Sequence, residues 1–319
     1  MPLCTSDVSS QDYVDFIIPH TNYSRELLER LAGTSCLDIV SRQYAVAYIP
    51  AGDALPLSLT DYSYTSIPKL YTPLDTSALE ASGISTVMAQ PALSTGGAGV
   101  MIGFVDTGIN YCDPLFTRPD GRTRILGIWD QTLPAGENRR FFQTASPYTG
   151  FIDTDFLYGR QFTEDEINAA LASPSPLETV PTRDEAGHGT FLAGVAAGSE
   201  TADGSFSGAA PLCAIGAVKL KPAKDYLRQF YLLPETAVAY QENDIMMGIK
   251  YLLLLAAAYE LPLVIVIGLG TSQGSHEGTS PLGKMLNQAA EFSGVIPVLA
   301  ARNEAARSRH FLGSVDRDA

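Results

Sequence analysis

The sequence predicts an α/β domain with a mostly parallel sheet covered by helices on both faces, preceded by a small α/β unit. Three observations carry that reading. First, Val100-Met101-Ile102-Gly103-Phe104-Val105, residues 214–220, residues 263–267 and residues 295–301 are short apolar runs without alternation, the pattern of strands buried on both faces. Second, helical segments at 242–260 and 281–293 separate the later runs, and strands that alternate with helices build a parallel sheet. Third, the first run ends in an acid, Asp106, and open α/β sheets place chemistry at the carboxyl ends of central strands.

Residues 1–80 form the small unit. Residues 13–18 read as a strand. Asn22 or Ser24 caps a short helix with Leu27, Leu28 and Leu31 on one face, and Gly33 stops it. Residues 43–49 read as a second strand, closed by Pro50. An irregular stretch rich in Tyr and Ser follows, with Pro56, Pro68 and Pro73; its composition suits a linker or an extended arm lying on a surface. Residues 74–83 are a short helix capped by Asp75 or Thr76. The larger unit spans 95–319. Gly96, Gly97 and Gly99 precede its first strand, whereas a dinucleotide-binding fold needs its glycines after the strand. Between Asn110 and Thr182 the chain makes a long excursion that shapes a cleft. It contains a strand at 125–129 and a capping box, Thr163 with Glu166, ahead of a helix at 167–171. In the helix at 242–260, Ile245, Ile249, Leu252 and Leu253 fall on one side.

Composition excludes several functions. The 319 residues carry a formal net charge of −14, which argues against nucleic acid or an anionic membrane surface as partner. The longest apolar run, 251–259, is too short to span a bilayer and is flanked by Lys250 and Glu260. Residues 1–7 have neither the basic region nor the apolar run of a signal peptide. Cys4, Cys36, Cys112 and Cys213 match no zinc or redox spacing, so they read as free, buried thiols, which favours a reducing compartment. No metal-ligand cluster is visible, and no cofactor is expected.

The segment Arg183-Asp184-Glu185-Ala186-Gly187-His188-Gly189-Thr190 leads into a run of small and apolar residues. An imidazole between two glycines at the mouth of a small-residue helix suits a base held rigidly beside a substrate. Asp106, His188 and Asn303 all fall at sheet-associated positions. Asp, then His, then Ser is the chain order of one of the three unrelated Ser-His-Asp arrangements.

These motifs resemble the subtilase family of serine proteases. Val105-Asp106-Thr107-Gly108-Ile109 is similar to its aspartate motif, Gly187-His188-Gly189-Thr190 with Leu192-Ala193-Gly194 to its histidine motif, and Ala300-Ala301-Arg302-Asn303-Glu304 to its oxyanion-asparagine motif. Gly268, Leu269 and Gly270 resemble the segment on which substrate lies as an added strand. The elements at Ser63 and 67–71, Phe191, and Gln273-Gly274-Ser275-His276-Glu277-Gly278 resemble the clostridial spore-germination (Csp) branch. The resemblance implies a subtilisin-like fold and an endopeptidase acting on protein or peptide substrates. His188 would be the general base, Asp106 would fix its tautomer, and Asn303 would donate to the oxyanion, a contact worth about 10²–10³ in kcat. It also implies that the amino-terminal unit is a propeptide that inhibits its own enzyme. The setting implied is the cytoplasm or the spore of a Gram-positive bacterium. Subtilases can bind calcium through carbonyl groups, which leave no motif.

Two departures matter. The family's serine lies in a Gly-Thr-Ser motif beyond the asparagine, and none follows Asn303 before Ala319; Gly270-Thr271-Ser272 and Gly278-Thr279-Ser280 both precede it. By analogy with subtilisin, loss of the serine lowers kcat about 10⁶-fold. The expectation is therefore a truncated protein, exposing apolar surface that a missing helix would cover. Arg302 stands where the family usually has a glycine lining the pocket for the residue before the cut, and Ala305 replaces a second frequent glycine. The alternative is thus a catalytically inactive relative that binds a partner in spore germination. An aspartic-protease reading of Asp106-Thr107-Gly108 needs two such carboxylates, and the chain has one such motif.

Overall fold

The computed structural model describes residue 4 and residues 6–73, 96–136, 140–142, 154–274 and 277–300. The helix expected at 74–83 lies outside the described residues. In the amino-terminal unit, β1 (Tyr13–Pro19) and β2 (Leu37–Ile39) both pair antiparallel with β3 (Tyr44–Pro50). Helix α1 (Arg25–Ala32) starts where the Ser24 hydroxyl accepts the Leu27 N–H, and ends at Gly33 in the left-handed region, φ 69°. The stripe it buries is Leu28 with Ala32, packed on Leu37, Ala45 and Ala47. Leu31 is 63 % exposed, contrary to the expected face, because only an i, i+4 stripe of so short a helix meets the sheet.

Cys4 and Cys36 are joined in a disulfide, with Cα atoms 4.8 Å apart. The expectation of four free thiols therefore holds only for Cys112 and Cys213, and the inference of a reducing compartment falls with it. Spacing alone could not reveal the pair, because the chain returns to residue 4 only through the folding of the three-stranded sheet.

The larger unit is built on a six-stranded sheet of order β12-β10-β5-β8-β6-β7. Its strands are β5 (Met101–Asp106), β6 (Ile125–Asp130), β7 (Arg160–Thr163), β8 (Ala214–Lys219), β10 (Leu263–Ile267) and β12 (Val295–Leu299). All neighbours are parallel except β7, which runs antiparallel on β6. Every residue of β5 and β6 is buried, as their unalternating apolar sequences require. The capping box forms as expected at the start of α2 (Glu164–Leu171). One face of the sheet carries α3 (His188–Ala197), whose Leu192, Ala193 and Ala197 pack on Ile102 and Phe104. The other face carries α5 (Glu242–Ala258) and α6 (Pro281–Ala290). Gly103 and Gly216 leave the notch in which Leu252 sits: a Cβ at Gly103 would lie 2.7 Å from a Leu252 methyl. At the sheet edge, Ile296 and Val298 are 59 % and 46 % exposed.

Helix α5 is buried from Glu242 through Ala256, its polar residues Glu242, Asn243, Asp244 and Lys250 included, so it has no exposed face over that span, and the one-sided stripe expected of it is only part of its contact surface. A helix buried on every side must be covered on every side. The central sheet covers one side, and the amino-terminal unit covers the other with Ile17, Val46 and Tyr48 in the same core. A polar lattice sits at that junction. The Asp15 carboxylate receives the Lys224 ammonium at 2.5 Å and the amides of Gln241 and Asn243 at 2.9 and 3.1 Å. Lys224 lies just before α4 (Asp225–Phe230). Beside it, Lys221 binds Asp244 at 2.6 Å, and the Tyr158 hydroxyl donates to the same carboxylate. Finally, β4 (Leu70–Pro73) leaves the amino-terminal unit and is sandwiched between β9 (Tyr240–Gln241) and β11 (Leu269–Gly270).

Candidate active site

The local sequence fixes His188 before any partner is considered. Asp184 folds the approach: one carboxylate oxygen accepts the N–H groups of Ala186 and Gly187, and the other accepts the N–H and hydroxyl of Thr190. Burial pushes the Asp184 carboxyl up, but these hydrogen bonds and one from Thr107 outweigh it and hold the group below its ordinary range. Gly187 turns the chain at φ 78°, which a side chain would resist. Gly189 then lets the first turn of α3 lie directly on the end of β5: its N–H donates to Thr107 Oγ1 at 2.9 Å, and an added Cβ would overlap the Gly108 carbonyl oxygen.

That contact sets the imidazole against the acid. His188 Nδ1 lies 2.7 Å from Asp106 Oδ1, and the Thr107 N–H donates to the same oxygen at 2.7 Å. The Asp106 side chain is 1 % exposed, while that of His188 is 18 % exposed, so the pair is buried on the acid side and open on the imidazole side. Lys219, in register with Asp106 on the next strand, extends its ammonium to Glu185 at 2.8 Å and Asp130 at 3.8 Å. From β10 the chain passes the pair at Gly268. A Cβ there would overlap Leu192 and come within 3.0 Å of Asp106 Oδ2 and 3.2 Å of His188 Cε1, so only glycine lets the main chain run this close.

Leu269 and Gly270 continue from that point as β11, and their edge is taken. Leu269 pairs with Pro73 and Gly270 with Thr72, antiparallel. On the other side of the same strand, Leu70 pairs with Gln241 and Tyr71 with Tyr240. Burial, and then the negative charges of Asp106, Asp184 and Glu185, push the Tyr240 hydroxyl up to about 12. The tail of the amino-terminal unit therefore lies extended between β9 and β11, and β11 begins one residue after Gly268.

Of the residues singled out in the sequence, Asp106, His188 and Gly268 meet, and Leu269 and Gly270 lead away from them as a paired strand. Arg302 and Asn303 lie outside the described residues. Sequence reasoning missed Asp184, Thr107 and Lys219 as supports. An Asp three residues before a glycine is a turn signal that could have found the first; nothing in the sequence points to the register that brings in Lys219. It also missed that the arm at 70–73 becomes a strand. Among the described residues, no group of three His, Cys, Asp or Glu side chains could hold a metal ion. No helix among them is long and apolar enough to cross a membrane.

The site thus sets an imidazole, oriented by a buried carboxylate, at the carboxyl end of a central parallel strand, with a paired strand leading away from Gly268. The model of the subtilase family, peptidase S8, matches residues 97–313. This chain belongs to the subtilase family. Among solved structures it is similar to the CspB protease of Clostridium perfringens, with a TM-score of 0.54 and 29 % sequence identity. That similarity covers 70 % of this chain and 40 % of the CspB chain, so the match spans less than half the length of that structure. No curated protein matches.

Proposed function

We propose that the chain carries the aspartate and histidine of a serine endopeptidase site and that its first unit serves as a propeptide. The observation that carries this reading is the 2.7 Å Asp106–His188 pair beside a cleft already filled by an extended segment of the same chain. His188 takes the proton from a serine hydroxyl and returns it to the leaving amine. Asp106 holds the Nδ1–H tautomer and stabilises the imidazolium. Asn303 supplies an oxyanion donor. Gly268, Leu269 and Gly270 bind the substrate main chain by strand addition, and β4 is the propeptide tail in that position. The nucleophile would come from a Gly-Thr-Ser segment beyond Asn303. Ser280 precedes Asn303 in the chain and serves as the cap of α6, its hydroxyl accepting the Gly283 N–H.

A second reading, a non-catalytic binding protein of spore germination on the same fold, is favoured by Arg302 and Ala305 at positions the family usually gives to glycine. One experiment separates the two. A polypeptide that continues this chain through a Gly-Thr-Ser segment is treated with a fluorophosphonate probe. Labelling that disappears in His188→Ala supports the endopeptidase; a folded protein of that length that takes no label overturns it and leaves the binding protein.

A further inference from the structure

Beyond the amino-terminal end of β4 the seated chain is still gripped, but by side chains. The Leu70 N–H donates to Gln273 Oε1 at 3.1 Å. The Lys69 N–H donates to Glu242 Oε2 at 3.2 Å, and the Lys69 carbonyl accepts the Glu242 N–H at 2.7 Å. Glu242 is the first residue of α5, directly after β9, and Gln273 follows β11 by three residues. The two strands that flank β4 thus each continue into one acceptor, and the acceptors meet successive amides of the same chain.

The chemistry of Glu242 is unusual for packing. It is fully buried, and its second carboxylate oxygen accepts the Leu282 N–H at the start of α6. A buried carboxylate needs donors to offset its lost hydration. Here the donors are one helix start, the Leu282 N–H, and one amide of the seated strand, the Lys69 N–H. The Lys69 ammonium is engaged elsewhere: it binds the carbonyls of Tyr64 and Ile67 and lies 4.2 Å above the Tyr64 ring. Within hydrogen-bond distance, what Glu242 and Gln273 meet at positions 69 and 70 is main-chain N–H, and the Lys69 charge acts on Glu242 only from further off.

We propose that Glu242 and Gln273 are substrate-binding residues, forming a backbone-reading subsite at the end of the cleft away from His188. The subsite takes an extended polypeptide that presents free N–H groups at two successive positions, and it rejects proline or an N-methylated residue there. The proposal rests on the reading of β4 as the occupant of the substrate strand. It implies a substrate that spans the positions of residues 69–73, since a shorter peptide forgoes both contacts. Loss of the Gln273 bond costs about tenfold in occupancy, and loss of the charged Glu242 acceptor up to about a hundredfold.

The test is amide hydrogen exchange on the intact chain. In Gln273→Ala, exchange at Leu70 rises about tenfold; Gln273→Glu, which keeps an acceptor oxygen, restores protection. In Glu242→Ala, exchange at Lys69 rises. The amides of β5 stay at their original rates in all three. Unchanged exchange at residues 69 and 70 in both alanine variants overturns the proposal. A second measurement addresses substrate directly. The full chain carrying Leu70→Pro, Tyr71→Pro and Thr72→Pro, whose tail then has no N–H at positions 70–73, is titrated with a synthetic peptide of residues 66–73 and with the same peptide N-methylated at position 70. At least tenfold weaker binding of the methylated peptide is expected; equal affinity, or no binding of either, overturns the proposal. None of these readouts needs a nucleophile. Failure here leaves the Asp106–His188 pair as it stands, and absence of fluorophosphonate labelling leaves the exchange result as it stands.

Discussion

Cutting the Asp15–Lys224 contact should uncouple the amino-terminal unit from the rest of the chain, and the structure sets the size of the effect. Both side chains are buried, at 0 % and 1 % exposure, and their charged atoms are 2.5 Å apart. Asp15 also holds the amides of Gln241 and Asn243, and Lys224 also donates to the carbonyls of Val8 and Tyr13. Asp15→Ala leaves an ammonium and two amides without their acceptor inside the protein, a loss of about 3–5 kcal/mol. Lys224→Met leaves a carboxylate that keeps its two amide donors, so its cost falls at the lower end, about 3 kcal/mol. Removing both charges leaves neither stranded, so Asp15→Ala with Lys224→Met should cost at least about 2 kcal/mol less than the two single losses together. The coupling between the two sites then exceeds about 2 kcal/mol. The pH dependence has a definite sign. Burial lowers the Lys224 pKa, opposed chiefly by Asp15, so without Asp15 it falls further below 10.5. Between that folded value and 10.5 the unfolded chain binds more protons, and stability rises with pH. The deficit of Asp15→Ala should therefore shrink from pH 7 to pH 9.5. Urea unfolding followed through Trp129, which is fully buried, measures all four proteins. Single losses below about 1 kcal/mol, or additive losses, would refute the claim that this pair joins the two units.

Further outcomes follow from the same contacts. Reducing the Cys4–Cys36 disulfide, which closes a separation of 32 residues, should lower stability by about 3–4 kcal/mol on loop-closure grounds, measured as a fall in the urea midpoint with and without reductant. Asp184→Ala removes the anchor of the histidine turn and should cost about 1–2 kcal/mol, with exchange rising at Gly187 and Thr190 before it rises in β5. Because the folded Asp184 pKa is lowered, the wild-type turn keeps this support above pH 3.8 and loses it as the pH falls through the folded value. Burial pushes the Cys213 thiol up to about 11, with Arg124 only partly opposing. At pH 8 a thiol reagent should modify the half-buried Cys112 first and reach Cys213 only after unfolding.

The strands of the large sheet were legible because burial on both faces leaves a plain mark. The runs expected at 100–105, 125–129, 214–220 and 263–267 are β5, β6, β8 and β10 to within a residue or so at either end. Helix α5 was legible in place but not in surroundings, since an apolar stripe says which side is buried and cannot say that the amino-terminal sheet covers the other. The Asp106–His188 pair was legible for a related reason. Glycines on both sides of His188 and after Asp106 report a close backbone approach, and the structure supplies that approach at Gly189 against Gly108. Asp15 and Lys224 left no such mark. Two charges more than two hundred residues apart look like solvated side chains until the fold buries them together.

The arm at 70–73 is the instructive failure. It has no apolar alternation and contains Pro73, so nothing in it asks to be a strand. It becomes one because Tyr240–Gln241 and Leu269–Gly270 each offer an unpaired edge two residues long, too short to be a sheet alone. A third chain between them satisfies the N–H and C=O groups of both. Such pairing depends on main-chain groups and is nearly blind to side chains, and so it is invisible to pattern. A cleft built to hold many different polypeptides needs that same indifference to sequence. The part of the molecule least readable from residue types is therefore the part whose job, on the proposed function, is to bind chains without reading most of theirs. Specificity must then enter where side chains or missing N–H groups intrude, at Glu242 and Gln273 on one end and at Gly268 against the His188–Asp106 pair on the other.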